Sequence, residues 1–435
     1  HEQTLALRQA KLGPDHPDTL TSMNNLAYAY RAVGRLDEAV PLYERALAAL
    51  KEKLGPSHPY TLTSMASLAG AYRAADRLDQ ALPLYEQTLA LLKEKLGLDH
   101  PDTLMGMNNL AGAYQAAGKL DEALVLFQQA VALYRARLGT DHPGTLTSMN
   151  NLALAYQAAG RLNEALPLFE ETLELLRQKL GPDHPLTLTS MASLAGAYRA
   201  AQQLDKALPL YEQSLALRQA KLGPDHPETL VSMNNLAAAY SANGRQEEAL
   251  PLHEQAAAGF EKLGFLHEHA GPIVNNTIRA YEAARHFEKA EQWRRKWLLH
   301  VKQTSGPESL AYANELAALA LVLAQRKKFV DAESALRECL AIRQQQQPEG
   351  WTTYNIQVLL GEILLLEQKY AEAEPFLKRG YEGLKASTEA IPPEARSQRL
   401  TEAVARLIAL YTALKRPEEV QAWQAERQRI ATGTK

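Results

Sequence analysis

A chain of 435 residues, 46% hydrophobic and 22% charged, is long enough to bury a sizeable core. Its 47 Lys and Arg against 50 Asp and Glu leave a net charge of −3, which argues against a nucleic-acid or anionic-membrane partner. The single cysteine, Cys339, leaves no disulfide framework and no cysteine-based zinc site, and no run of 18 apolar residues is present to span a membrane.

The first segment, HEQTLALRQAKLG, matches YEQSLALRQAKLG further on, so His1 aligns with Tyr211 in the middle of a helix. We therefore expect the parent protein to extend towards the N-terminus, where any targeting signal, anchor or catalytic domain would lie. The string LGPDHPDT follows at Leu12 and returns five times, its glycines at Gly13, Gly55, Gly97, Gly139, Gly181 and Gly223, always 42 residues apart. A second marker, the alanine at Ala39, Ala81, Ala123, Ala165, Ala207 and Ala249, keeps the same step. It continues through Ala290, Ala332 and Ala373 towards Val420, with spacings of 41, 42, 41 and 47. Such self-similarity marks a repeat architecture.

Each unit reads as two helices. In the first unit Pro17 suits a first helical turn, Met23, Leu26, Ala27 and Tyr30 form one apolar stripe, and Gly34 supplies the turn that ends the helix. The second helix is expected to open near Asp37 as N-cap, with Pro41 in its first turn. It buries Leu36, Ala39, Tyr43, Ala46, Leu47 and Leu50, and closes at Gly55. A lone pair cannot bury its apolar faces, so the units must stack. The expected fold is all-α, a solenoid of about ten helix-turn-helix units. Regular repeats would occupy residues 1–264, the first unit incomplete, and degenerate repeats with a C-terminal cap residues 265–435.

The pattern L-A-x-A-Y, then G-x-L-x-x-A, then Y/F-x-x-A/T-L resembles the tetratricopeptide repeat. The 42-residue length, the LGPDHP connector and the MNNLA segment are similar to the long repeats of kinesin light chains. The whole, with NNTIRAYEAA and RRKWL in its later part, resembles repeat arrays beside bacterial, planctomycete-like serine/threonine protein kinase domains. That resemblance implies a right-handed superhelix, a peptide-binding concave groove lined by the first helix of each unit, and a cytoplasmic location.

Catalytic signatures are missing: there is no P-loop, GxGxxG, GxSxG or HExxH, and no kinase HRD or DFG segment. We expect no enzyme, no cofactor and no metal. The periodic histidines His16, His58, His100, His142, His184 and His226 could form a metal ladder, but units stack too far apart for their ligands to converge, so a structural wedge is preferred. Cys339 reads as a buried packing residue. Trp293 and Trp297 read as helix packing with solvated basic neighbours Arg294, Arg295 and Lys296, or as a partner-binding face.

The groove carries the functional signal. Mid-helix asparagine is disfavoured, yet Asn24–Asn25, Asn108–Asn109, Asn150–Asn151, Asn234–Asn235 and Asn275–Asn276 hold that place. The kinesin-light-chain resemblance gives the second of each pair, Asn25, Asn109, Asn151, Asn235 and Asn276, the role of holding a ligand backbone. An inter-repeat hydrogen-bond ladder is the alternative. The second and fifth units break the pattern, with Ala66–Ser67 and Ala192–Ser193, and also replace the turn glycine by Asp76 and Gln202. Arg31, Arg73, Arg199 and Arg279 lie on the same face, Glu282 being its one acid, and Gly70, Gly112 and Gly196 leave room at its centre. These arginines would select acidic groups on a ligand, or simply complement a helix C-terminus. The expected function is a non-enzymatic module binding a peptide or protein segment that carries acidic residues. The alternative is a regulatory or oligomerisation scaffold for a protein kinase domain upstream.

Overall fold

The computed structural model describes residues 1–32 and 34–432. After α1 (Glu2–Leu12) come the pairs α2 (Pro17–Ala32) and α3 (Leu36–Leu54), α4 (Pro59–Ala74) and α5 (Leu78–Leu96), α6 (Pro101–Ala116) and α7 (Leu120–Leu138). The same pairing gives α8 (Pro143–Ala158) and α9 (Leu162–Leu180), α10 (Pro185–Ala200) and α11 (Leu204–Leu222), α12 (Pro227–Ala242) and α13 (Gln246–Lys262). Then follow α14 (Ala270–Ala283) and α15 (Phe287–Ser305), α16 (Leu310–Gln325) and α17 (Phe329–Gln346), α18 (Trp351–Leu366) and α19 (Tyr370–Ala386), α20 (Pro393–Ala413) and α21 (Pro417–Thr432). No strand occurs among the described residues. The fold is an α-solenoid of ten helix pairs. Its contacts divide it into two compact units, His1–Ile273 and Val274–Lys435.

The local signals explain most helix ends. Pro17 and its equivalents open the first helices, and Gly34 (φ 77°) and Gly55 (φ 85°) close the first pair from left-handed or related backbone that L side chains rarely adopt. Asp76 (φ 57°) and Gln202 (φ 59°) take the same left-handed conformation without being glycine. Two expectations are corrected. The helix α3 starts at Leu36 after Arg35, so Asp37 lies in its first turn and is not the N-cap. Pro41 is the sixth residue of α3, inside the helix; the carbonyl it leaves unbonded belongs to exposed Asp37, where water can serve it.

The periodic histidines are N-caps. The Nδ1 atoms of His58, His100, His142, His184 and His226 accept the backbone N–H two residues on, at 3.1–3.3 Å, and His16 does the same for Asp18. Each thereby satisfies one of the orphan donors of a helix start. Among the described residues no group of three or more His, Cys, Asp or Glu is placed to hold a metal ion.

Within the first unit the core is built from small residues that let helices approach, such as Ala27, Ala39 and Ala46, all fully buried, against Met23, Tyr43 and Leu47. Two ladders lock neighbouring pairs. The Tyr72 hydroxyl donates to Glu44 at 2.6 Å and Tyr114 to Glu86 at 2.7 Å, a 28-residue contact repeated by Tyr30, Tyr198 and Tyr240. Burial and that hydrogen bond push Tyr72 up to about 12, so the phenol stays a donor. At the connector edge Lys179 meets Asp141 at 2.7 Å and Lys221 meets Asp183 at 2.9 Å.

The second compact unit keeps tyrosine–glutamate bonds, such as Tyr312 to Glu338 at 3.0 Å and Tyr411 to Glu374 at 2.8 Å, and adds buried ion pairs. Glu291, only 5% exposed, receives Arg295, Lys328 and Arg326. Burial alone would raise its pKa, but the three cations outweigh it and hold the carboxyl below the usual range. Arg294 is also buried, bonded to Asn275 at 3.1 Å and Glu315 at 3.2 Å, with Glu282 at 3.8 Å. It is not the solvated neighbour of Trp293 that the sequence suggested. Trp293 and Cys339 are both buried. The helix α21 has no buried residue.

Candidate functional site

The asparagine pairs split by geometry. About 100° of helix separates the two side chains of a pair, so one turns to the next first helix and the other to the groove. In two of the pairs the first asparagine is spent on stacking: Ser64 Oγ donates to Asn24 Oδ1 and Ser148 Oγ to Asn108 Oδ1, both at 3.1 Å, whereas Asn150 Oδ1 is buried without a partner. Asn108 also donates to the Leu104 carbonyl at 3.2 Å. The second of the pair has no such duty. Asn25, Asn109, Asn151 and Asn235 side chains make no hydrogen bond to another described residue, and Asn25 is exposed while the other three are half-buried.

Asn109 and Asn151 converge. Together with Arg73, Gly112, Gln115 and Asn108 they line a hollow of about 540 Å³ on the face of α6 and α8. A second hollow of about 550 Å³ lies beside it, lined by Arg31, Ser67, Gly70, Arg73, Tyr85 and Asn109 among others. Asn25, Asn235 and Arg199 occupy the equivalent places in their own repeats and lie outside both hollows. Asn276 belongs to the second compact unit and, unlike the other four, is already engaged in an interaction.

The arginines sit differently from expectation at one point. The room left by glycine is already used: a Cβ on Gly70 would stand 2.6 Å from Arg31 Nη1, and one on Gly112 would stand 3.1 Å from Arg73 Nη1. Each guanidinium thus lies across the neighbouring first helix. Arg31 also rests on the Tyr28 ring, 5.4 Å from its centroid. Neither Arg31 nor Arg73 has a carboxylate within 4.0 Å among the described residues, whereas the outer-face Arg35, Arg161 and Arg245 are each paired with an acid.

Sequence reasoning missed the partner of each arginine. Twelve residues after Arg31, Arg73 and Arg199 stand Tyr43, Tyr85 and Tyr211, while twelve after Gln115 and Gln157 stand Phe127 and Phe169. Arginine goes with a phenol and glutamine with a plain ring. That covariation was legible in the repeat and marks one wall of the groove. Tyr85 feels the charge of both Arg73 and Arg31, and Tyr211 that of Arg199. Burial raises both phenols more than the arginines lower them, so each stays protonated.

The comparisons with known proteins follow this geometry. The tetratricopeptide repeat model matches residues 1–52, 23–94, 102–178, 150–220 and 193–262, more than half of the chain. A putative kinesin light chain of Podosopora anserina, with nearly identical TPR-like repeats, is 38% identical in a structure covering 47% of this chain and 98% of that one, at a TM-score of 0.41. BtubC from P. vanneervenii is 21% identical, covering 54% of this chain and 91% of that one, with a TM-score of 0.42. A signal-transduction ATPase with a tetratricopeptide repeat sensor, from Pyrococcus horikoshii, is 15% identical over 83% of this chain and 55% of that one, with a TM-score of 0.52. No curated protein matches the sequence. The helix pairs of the described residues, the periodic small residues at their contacts and the repeat model agree, and the chain belongs to the tetratricopeptide repeat family.

Proposed function

We propose that this chain is a non-catalytic recognition module that captures an extended peptide or protein segment along the face of its first helices. Tetratricopeptide repeats generally mediate protein–protein interaction, and the reading here is finer than that. The observation that carries it is the meeting of two uncommitted amides, Asn109 and Asn151, in one 540 Å³ hollow beside the unpaired Arg73. An amide offers one acceptor and two donors, the complement of a peptide unit, so a pair of them can hold a backbone in register without reading its sequence. Arg73 and, one helix away, Arg31 then favour carboxylates on the ligand through charge-assisted bonds. Arg199 would extend the same track in the fifth repeat, and Asn25 and Asn235 in the first and sixth, beyond the second and fifth repeats where serine stands in place of that asparagine. Asn276 would do so only in the second compact unit.

The test starts from peptides selected out of a random displayed library on the whole chain. Their affinities are then measured for the wild type and for Asn109→Ala with Asn151→Ala. The reading predicts selected sequences enriched in Asp and Glu, and at least a tenfold loss of affinity in the variant with an unchanged helical spectrum. Selected peptides that bind the variant as tightly as the wild type would contradict it.

A further inference from the structure

At two junctions between regular units the first asparagine meets the serine forty places on, whereas at the junction of Asn150 and Ser190 the Asn150 Oδ1 and the Ser190 hydroxyl are buried without a hydrogen-bond partner. The pairs Asn24–Ser64 and Asn108–Ser148 close two junctions with hydrogen bonds of 3.1 Å. Between the second and third units both partners are replaced at once, by Ala66 and Gly106. The position of Gly106 is serine in every other regular unit: Ser22, Ser64, Ser148, Ser190 and Ser232. Between the fifth and sixth units Ala192 also replaces asparagine, but Ser232 remains, its hydroxyl receiving Arg218 at 2.5 Å and donating to the Glu228 carbonyl at 3.0 Å.

The paired loss coincides with a crevice of about 550 Å³ between α4 and α6, within the size range of small-molecule sites. Part of its wall is apolar, from Leu62, Leu92 and Met105, with Ala66 and Gly106 between them. The polar part carries Arg31 and Arg73, neither within 4.0 Å of an acid, and the lining also includes Lys95, His100 and the carboxylate of Asp102. Between them lies Tyr85, whose side chain is only 4% exposed yet lines the crevice and makes no hydrogen bond. Its hydroxyl would stand 3.3 Å from a Cβ on Gly70, so a larger residue there would crowd it. A phenol hydroxyl with no protein acceptor and two guanidinium groups with no carboxylate partner thus face one crevice beside an apolar wall, a donor set suited to an anion.

We propose that this crevice is a binding site for a small amphipathic organic anion. The apolar body, about the size of two fused rings, lies against Ala66 and Gly106. The carboxylate, sulfonate or phosphate head takes hydrogen bonds from Arg31, Arg73 and Tyr85. The site does not rest on the peptide reading, because it needs neither Asn109 nor Asn151 to hold a backbone.

The probe is 8-anilinonaphthalene-1-sulfonate, set against its uncharged analogue N-phenyl-1-naphthylamine, with binding followed by fluorescence and calorimetry on the whole chain. The key variant, Ala66→Asn with Gly106→Ser, introduces the pair that closes two other junctions; the new Cβ at position 106 stands 3.1 Å from Leu92 Cδ1, the end of a flexible side chain, so the variant is expected to keep the wild-type helical spectrum, which is checked alongside binding. We expect one sulfonate probe per wild-type chain, and at least tenfold weaker binding both in that variant and in Arg31→Gln with Arg73→Gln. The uncharged analogue should bind the wild type at least tenfold more weakly and ignore the arginine changes. Unchanged sulfonate binding in the Asn/Ser variant, or equal binding of the two probes to the wild type, overturns the proposal, whatever the peptide selection returns.

Discussion

His253 occupies the position held by Tyr43, Tyr85, Phe127, Phe169 and Tyr211 in the other regular repeats, and it is 3% exposed. Burial pushes its pKa down from the ordinary 6.5 to about 4, so the folded protein holds the imidazole neutral. The folded value is the lower one. Above pH 6.5 the side chain is neutral in both states and costs nothing. As the pH falls from 6.5 to 4 the unfolded chain gains a proton that the folded chain refuses, and stability is lost across that window. At about 1.4 kcal/mol per pKa unit, the shift of roughly 2.5 units amounts to about 3 kcal/mol. Repeat arrays need not unfold in one step, so the measurement should be local: hydrogen exchange of the α12 and α13 amides between pH 7.5 and 4. The comparison is with His253→Phe, which installs the ring already used at Phe127 and Phe169. We predict that the wild type loses about 3 kcal/mol of opening free energy more than the variant between these pH values. A difference that does not change with pH would refute the reasoning.

Two further outcomes follow from the turns and caps. Replacing Gln202, held at φ 59°, by glycine should raise the melting temperature and stabilise by about 0.5–1 kcal/mol, the relief of left-handed strain less the extra freedom of the unfolded glycine. Asp76→Gly should gain less, because aspartate tolerates that backbone better; equal or reversed effects in thermal melts would contradict this. His184→Ala removes the acceptor 3.2 Å from the Leu186 N–H and should cost about 1 kcal/mol in urea unfolding, whereas His184→Asn, another good cap, should recover most of it.

The fold was legible because its signals are local and repeated six times: proline at each first-helix start, glycine at the turns, and a small–large stripe between them. The histidine caps were not legible in the sequence, which suggested only a structural wedge; the Nδ1 contacts to the N–H two residues on reveal them, because histidine is not among the usual capping residues. The groove was only half legible. Periodicity places both residues of an Asn pair near the same face, and only the register between units shows that Asn108 is consumed by Ser148 while Asn109 is left over. The reach of Arg31 across Gly70 depends likewise on a neighbouring helix. In the second unit the signal fails differently: Arg294 looks like a solvated surface cation, and its burial follows from Glu282 and Glu315, which no fixed period connects to it.

The most direct test of this division of labour is a comparison of Asn108→Ala with Asn109→Ala, measuring stability and affinity for a selected peptide on the same samples. The two changes gain the same helix propensity, so their difference isolates the side-chain bonds. Asn108→Ala loses its bonds to Ser148 and Leu104 and should be less stable than Asn109→Ala by about 1 kcal/mol while keeping its affinity. Asn109→Ala, which loses no bond and gains helix propensity, should be at least as stable as the wild type and bind several-fold more weakly. The opposite pattern, with affinity lost at Asn108 and stability at Asn109, would contradict the account.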